Sequence, residues 1–576
     1  MTLPAPESFT LEAEYDLVIV GSGGGSMVAA IRAKLAGLKP VILEKRDKIG
    51  GSTGFSGGVW WVPNNHILKR YGVEDSRELA ERYMAATVDF VGKGTSPARR
   101  KAFLDEAPEM IRFLEEQGMQ FDYPDGWSDY YDDRDGGQPR GRSLTATPYD
   151  IRNLGPWEDL LSRGTAFAGI PMPSLYLIKM LMLKRTFEAK KIFARLAFSI
   201  VKNKILGRHI LAHGASLQGR MLEMALRHGI PIFANFATNE LIEENGRIVG
   251  VSGTYRGART TVKARHGVLV NAGGFARNDA MRQKYQRHPI SGSWTNANPG
   301  DTGEMLEEMI RHGADTENLD LAVWVPTSLN PDGSLPAGAV GKDGTGSPFM
   351  HVGEIAIPHY MWVKRDGNRF VNEASSYVEL GEALYQNDAV PAFAIFDDRA
   401  MRNYAYGTAM PGTKPIKKWL ESGFLIKADT IEDLARQAGI DPAGLAAQVA
   451  RYNRFAETGI DEEFHKGERQ YDRLRGDPTH KPNPCVGSIA HGPFYATRIF
   501  PGDVGTFGGV VTDERARVLK ADGSVIEGLY ATGNCTSSVM GRSYPGPGAS
   551  ISPAFTFGDI AAKDIIARAG NSADRA

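Results

Sequence analysis

The chain has 576 residues, 42% hydrophobic and 23% charged, with a net charge of −1. This is the balance of a large soluble globular protein with more than one core, and it excludes wholesale disorder and a general nucleic-acid surface. Its two cysteines, Cys485 and Cys535, exclude a disulfide framework or a cysteine-rich metal site and fit a cytoplasmic setting, and the chain shows neither a basic-then-apolar leader nor a run of about 18 apolar residues that would predict a membrane span.

Residues 15–20 end in three β-branched side chains and predict a buried strand. Gly21, Ser22, Gly23, Gly24, Gly25 and Ser26 follow, then a helical run over 27–37 and a second apolar strand over 40–43 that ends at Glu44. Strand, glycine turn, helix, strand and acid within about 30 residues form a dinucleotide fingerprint. Gly21 permits the tight turn. Gly23 lets a pyrophosphate approach the helix N-terminus, where free N–H groups and the helix dipole favour an anion. Glu44 is placed to accept from ribose hydroxyls. Ser26 takes the third glycine position, where small size serves helix–strand packing. No second unit of this kind follows, which predicts electron transfer to an acceptor other than NADPH, with a quinone-linked chain as the expectation.

Lys45, Gly51, Ser52, Thr53, Ser56, Gly57 and Gly58 lie together in a glycine- and serine-rich run. Asp132, Asp133 and Asp135 read as a solvated acidic turn, and the 12 histidines show no ligand spacing, so no metal site is predicted. Segment 172–211 differs from the rest: an apolar start is followed by Lys184, Arg185, Lys190, Lys191, Arg195, Lys202, Lys204 and Arg208 among large apolar residues, with Glu188 its one acid. A basic amphipathic helix of this kind can lie in a membrane interface. The alternative is a helical hairpin packed on the protein or on another subunit, and the oligomeric state stays open.

Further on, a strand over 268–270 runs into Asn271, Ala272, Gly273 and Gly274, and Asn298, Pro299, Gly300 and Asp301 form a turn before a helix. Capped helix starts are predicted at Thr430 and at Asp441-Pro442, and residues 459–466 read as an exposed polar loop. Gly533 and Asn534 end a strand, with Cys535 beside them as a small buried filler. A proline- and glycine-rich loop then carries Tyr544, Pro545, Gly546, Pro547 and Gly548, with Ser550 and Ile551 after it.

The Glu44–Thr53 run, the 271–274 and 298–303 turns and the 528–534 segment resemble the flavoprotein family of fumarate reductases and 3-ketosteroid dehydrogenases, over residues 14–562. The resemblance implies non-covalent FAD. Within that family the Tyr544–Gly548 loop is similar to that of the 3-ketosteroid Δ1-dehydrogenases, whose tyrosine and final glycine bind the steroid C3 carbonyl. The stretch from Asp366 through Arg369, Asn372 and Glu373 to Tyr377 resembles the segment whose tyrosine removes the C2 proton, and Trp127 to Tyr130 resembles the segment supporting that base. Trp127 stands where the family has Phe, and Tyr130 is preferred over its neighbour Tyr131.

The resemblance implies an α/β fold with an α+β catalytic domain: a Rossmann-like FAD-binding domain over 1–318 and 493–576, discontinuous in sequence, and a catalytic domain over 319–492. It implies 1,2-dehydrogenation of a 3-ketosteroid such as 4-androstene-3,17-dione. Tyr544 and the Gly548 N–H would form a two-donor oxyanion hole, Tyr377 would take the C2 proton with its phenolate stabilised by the Tyr130 hydroxyl, and the C1 hydride would go to flavin N5. Trp127, Trp324, Phe349 and Met350 are candidates for an apolar pocket wall. The competing readings are a 3-ketosteroid Δ4-dehydrogenase, a fumarate- or urocanate-reductase-like enzyme with Arg542 as its one carboxylate anchor, and a non-catalytic flavin-binding protein.

Overall fold

The computed structural model describes residues 3–88, 92–164, 169–340, 346–407 and 409–573. Strand Glu14–Val20 lies at the centre of the larger sheet, parallel to Pro40–Leu43 on one side and to Ala258–Val270 on the other. Its side chains alternate as a period of two requires. Leu17 and Ile19 enter one core, Val18 and Val20 the other, so both faces of the sheet are covered.

After more than 200 residues the chain returns to this sheet. Val525–Ala531 runs parallel beside Ala258–Val270, pairing Val268 with Leu529 and Val270 with Ala531. The closing helix Ile551–Ala573 packs on Gly24–Leu35, the helix that follows the glycine turn. The crossing is too close for side chains: a Cβ on Gly24 would lie 1.8 Å from the Phe555 ring, and one on Gly25 2.4 Å from the Ala554 carbonyl. Arg32 pairs with Asp559 at 2.6 Å to fix the register.

A second, antiparallel sheet is ordered Tyr360–Val363, Ala392–Asp397, Phe494–Ile499, Ile426–Ala428. Strand Phe494–Ile499 thus belongs to it, and a division by sheet membership falls after Ile499 rather than at 492/493. Sequence could not show this, because an apolar strand before a return to the first sheet suits either sheet. Helices Ile431–Ala438 and Pro442–Thr458 begin with Thr430 and Asp441 as caps, their side-chain oxygens accepting backbone N–H groups.

The 459–466 segment is exposed at Ile460, Glu462 and His465 but not throughout. Asp461 and Lys466 are buried. The Arg369 guanidinium bridges Glu373 and Asp461 at 2.8–3.0 Å, and Lys466 lies 3.4 Å from Glu373. Opposite charges reaching in from two segments turn a polar stretch inward, since a buried charge must be paired.

The apolar start of the 172–211 segment forms the helix Ser174–Met180, and the basic part forms Phe187–Ile205. Ile192 and Leu196 of the second helix bury against Met172 and Met180. From residue 197 to 209 no side chain is buried. Among the described residues, no helix is long and apolar enough to cross a membrane.

Candidate active site

A single cavity of about 540 Å³ runs from the Gly21–Gly23 turn to the three tyrosines. At the first end, Gly21 has φ +93°, and a Cβ there would lie 2.3 Å from the Asn271 carbonyl. Close packing against that backbone therefore requires glycine here, and Gly21, Ser22 and Gly23 line the cavity at the helix N-terminus. Glu44 accepts from the Ser22 N–H at 3.0 Å and the Ser22 hydroxyl at 2.6 Å, holding the turn against the acid. Ser52 donates to Asp301 at 2.9 Å. Burial pushes the Asp301 carboxyl up to about 7, against the pull of Ser52, Lys45 and Arg277.

Nearly every residue expected to hold the cofactor lines this cavity. Gly25, Ser26, Gly58 and Gly274 do not. Gly25 meets Ala554 and Thr532, and the Ser26 hydroxyl lies 3.0 Å from the Asn271 amide. Gly58 has φ +65° against the His213 carbonyl, and Gly274 abuts the Thr506 hydroxyl. All four are small because backbone or helix packs on them, a demand that resembles ligand approach when only sequence is visible.

The residues fit a flavin dinucleotide. Thr238 Oγ1 and both side-chain polar atoms of Asn296 line the cavity, buried and without hydrogen-bond partners among the described residues. Orphaned polar groups of this kind call for a polar ligand. Sequence reasoning missed both, along with Phe236 and His213, because they lie outside any glycine motif. Asn296, two residues before the noted Asn298, offered the one usable signal.

At the other end, Tyr130, Tyr377 and Tyr544 pack mutually, with ring centroids 5.4–5.8 Å apart. The Tyr130 hydroxyl lies 3.1 Å from that of Tyr377. Tyr131 does not line the cavity; its hydroxyl faces Ser376 and Ser543. The Tyr544 hydroxyl is 3.0 Å from Ser550 Oγ and is faced by the Gly548 and Ser550 amides. The Tyr544 hydroxyl and the Gly548 amide are thus neighbours at this end of the cavity.

Each tyrosine is set by its surroundings. The Pro545 carbonyl accepts from Tyr130 N–H at 2.9 Å and from the Tyr83 hydroxyl at 2.6 Å, and the Pro547 carbonyl accepts from Ser143 Oγ at 2.8 Å. Gly548 has φ +95° with a Cβ position 2.3 Å from the Val59 carbonyl, so only glycine fits. Asp129, beside Tyr130, is buried against Arg142 and accepts from Trp61 Nε1 at 2.8 Å. Tyr377 begins the helix Tyr377–Gln386, a few residues after the Arg369–Glu373 pair.

Burial pushes the hydroxyls of Tyr130 and Tyr377 well above the ordinary 10. In the bond between them the Tyr130 hydroxyl donates to Tyr377 Oη, the direction that supports negative charge on Tyr377. Tyr130 is the more enclosed of the two, with Tyr377 only partly buried.

Trp127 and Met350 line the cavity, whereas Trp324 and Phe349 are core, Trp324 donating to Glu382 at 2.8 Å. Arg542 is tied to Asp320 at 3.3 Å and is not in the lining, so it offers no carboxylate anchor there. Leu177, Ile178 and Leu181 of the basic segment form part of the wall. Asp132 caps the helix Gln470–Arg475, accepting from Gln470 N–H at 3.0 Å, and Asp135 pairs with Arg82.

The family described as FAD binding domain matches residues 16–551. A 3-oxosteroid 1-dehydrogenase of Mycolicibacterium smegmatis is 39% identical over 97% of this chain and 98% of its own. A 4-oxocyclohex-2-ene-1-carboxylate 5-dehydrogenase of Sinomonas cyclohexanicum is 32% identical over 96% and 93%. The crystal structure of a 3-ketosteroid Δ1-dehydrogenase from Sterolibacterium denitrificans in complex with 1,4-androstadiene-3,17-dione superposes with a TM-score of 0.89, at 34% identity over 97% of this chain and 100% of that one.

Proposed function

The chain belongs to the FAD binding domain family of flavoproteins, and we infer from this that it is an FAD-dependent oxidoreductase that introduces a double bond between C1 and C2 of 3-ketosteroids. The observation that carries the reading is the convergence of Tyr130, Tyr377, Tyr544 and Gly548 at one end of a cavity whose other end is a dinucleotide turn. Bound FAD supplies the acceptor for the C1 hydride.

The chain's own residues supply the rest. The Tyr544 hydroxyl and the Gly548 N–H donate to the C3 oxygen, where charge grows as C2 loses its proton; donors preorganised in a dry site stabilise that charge. Tyr377 receives the C2 proton and shares it with Tyr130 across the 3.1 Å contact. Packing of Trp127, Met350 and the Leu177–Leu181 wall holds a rigid apolar ligand in one orientation. Reoxidation falls to a separate acceptor of the quinone class.

The basic segment is read as a membrane-surface contact. Phe187, Phe198 and Ile205 are 82%, 70% and 79% exposed, among the lysines and arginines of the same helices. Exposed apolar groups ringed by cations suit an anionic bilayer interface. The same segment walls the cavity, which suits a substrate that partitions into lipid.

The test of the activity is anaerobic mixing of the yellow holoprotein with 4-androstene-3,17-dione. Flavin bleaching with a 1-ene product is expected. No bleaching with FAD still bound, together with bleaching by a 5α-3-ketosteroid to a 4-ene, would replace this reading with the Δ4 one.

A further inference from the structure

Arg475 ends the helix Gln470–Arg475, is 4% exposed and lines the cavity. Its Nε and Nη1 are buried without a hydrogen-bond partner among the described residues. The guanidinium lies over the Tyr471 ring, 4.6 Å from its centroid. The Tyr471 ring is in turn 4.6 Å from that of Tyr130, and the Tyr471 hydroxyl is also buried and unpartnered. A row thus runs Arg475, Tyr471, Tyr130, Tyr377, ending at the oxygen that meets the C2 proton.

The other charges around this row have partners or facing opposite charges, although Glu379 Oε2 accepts no hydrogen bond among the described residues. Arg469 pairs with Asp472 at 3.0 Å and donates to Ser375 at 2.7 Å. Asp472 also accepts from Asn372 and from the Gly467 N–H. Asp132 accepts from the Gln470 and Tyr471 N–H groups, and Asp129 is paired with Arg142. Glu379 faces Arg469 and Arg134, and burial raises its carboxyl. Arg475 is left as the cation beside the phenols with no carboxylate bonded to it. Burying such a charge is costly and needs a reason.

We propose that Arg475, acting through Tyr471 and Tyr130, is the positioning residue whose charge lets the Tyr130–Tyr377 pair accept the C2 proton. The proposal rests on the dehydrogenase reading above. In the step it serves, the C2–H bond breaks and its proton goes to Tyr377 Oη. The Tyr130 hydroxyl donates to that oxygen across a 3.1 Å contact, and the bond's electron pair stays on the substrate, delocalised toward the C3 oxygen. The pair begins with one proton and ends with two, so a single negative charge must reside on it beforehand. A nearby fixed cation favours that charge, and low polarity magnifies the effect. Consistent with the geometry, the groups acting on Tyr130 are Tyr471, Tyr544, Tyr377 and Arg475, and Arg475 is the one cation among them, pulling both Tyr130 and Tyr471 downward.

The test compares holoprotein of the native sequence with Arg475→Met, Arg475→Gln and Arg475→Lys. Tyrosinate absorbance is titrated, with Tyr130→Phe identifying the Tyr130 component, and flavin reduction by 4-androstene-3,17-dione is followed over the same pH range. In the two neutral variants both midpoints are expected to rise by about one unit, a tenfold loss of rate at neutral pH that alkali restores; Arg475→Lys is expected to stay near the native midpoints. A uniform loss of rate with both midpoints in place overturns the proposal. So does loss of FAD uptake in both neutral variants, which assigns the charge to assembly of the fold. Absence of steroid oxidation by the native holoprotein instead defeats the underlying reading, and is seen before any variant is made.

Discussion

The 3-oxo end of the cavity has two donors that differ in how they can be removed. Tyr544→Phe deletes one hydroxyl and leaves the loop pinned through the Pro545 and Pro547 carbonyls. Flavin reduction is expected to slow by roughly 100-fold, on the order of 3 kcal/mol, with FAD content unchanged. A Tyr544→Phe holoprotein that reduces at the native rate would remove Tyr544 from the oxyanion site. Asp301 gives a prediction of another kind. Burial raises its carboxyl from an ordinary 3.8 to about 7. Between those values the folded chain holds a proton that the unfolded chain releases, so folding stability falls as pH rises through the window and levels off above about pH 7. The slope this one group adds is at most ~1.4 kcal/mol per pH unit. Urea unfolding of FAD-free protein at pH 5 and pH 8 should show a smaller difference for Asp301→Asn than for the native sequence; equal differences would mean that Asp301 does not carry the raised value.

At the scale of elements, two helix features have separable consequences. Gly24–Leu35 and Ile551–Ala573 cross where a Gly24 Cβ would lie 1.8 Å from the Phe555 ring. Gly24→Val is therefore expected to yield protein without FAD, measured as the flavin-to-protein absorbance ratio, because the turn that receives the pyrophosphate rides on the N-terminus of that helix. The exposed half of Phe187–Ile205 is expected to act without touching the active site. Phe198→Ser with Ile205→Ser should lower co-sedimentation with anionic liposomes while leaving steroid oxidation in detergent intact; native protein that fails to sediment with such liposomes at low salt would exclude the membrane contact. The dinucleotide turn was legible in sequence because glycines punctuate the chain between strand and helix, and Tyr544–Gly548 was singled out by its resemblance to a family loop. Arg475 and Asn296 were not, since a single arginine in a helix or asparagine in a loop carries no pattern, and its significance lies in having no partner in three dimensions. Asp461 and Lys466 misled for the reverse reason: they read as surface, and Arg369 and Glu373 draw them inside.

Over the whole molecule, the chain leaves the large sheet after Ala258–Val270, builds the second sheet, and comes back to add Val525–Ala531 and the loop of Tyr544. The returning segment and the middle of the chain therefore each supply part of one site: Tyr544 and Gly548 from the first, and Met350, Tyr377 and Arg475 from the second. A ligand at the tyrosine end touches both and stabilises only the arrangement in which they meet. By mass action, ligand at 100 times its dissociation constant stabilises the folded state by ~2.7 kcal/mol. FAD, held mostly by the large-sheet unit, should raise the melting temperature of the apoprotein in proportion to the logarithm of its concentration. A saturating 3-ketosteroid product added to the holoprotein should raise it further and merge flavin release with loss of tryptophan signal from the second core, where Trp362 and Trp419 are buried. If steroid leaves both transitions where FAD alone puts them, the two units do not close on the ligand together, and the tyrosine cluster must be completed in some other way than by the meeting of the sheets.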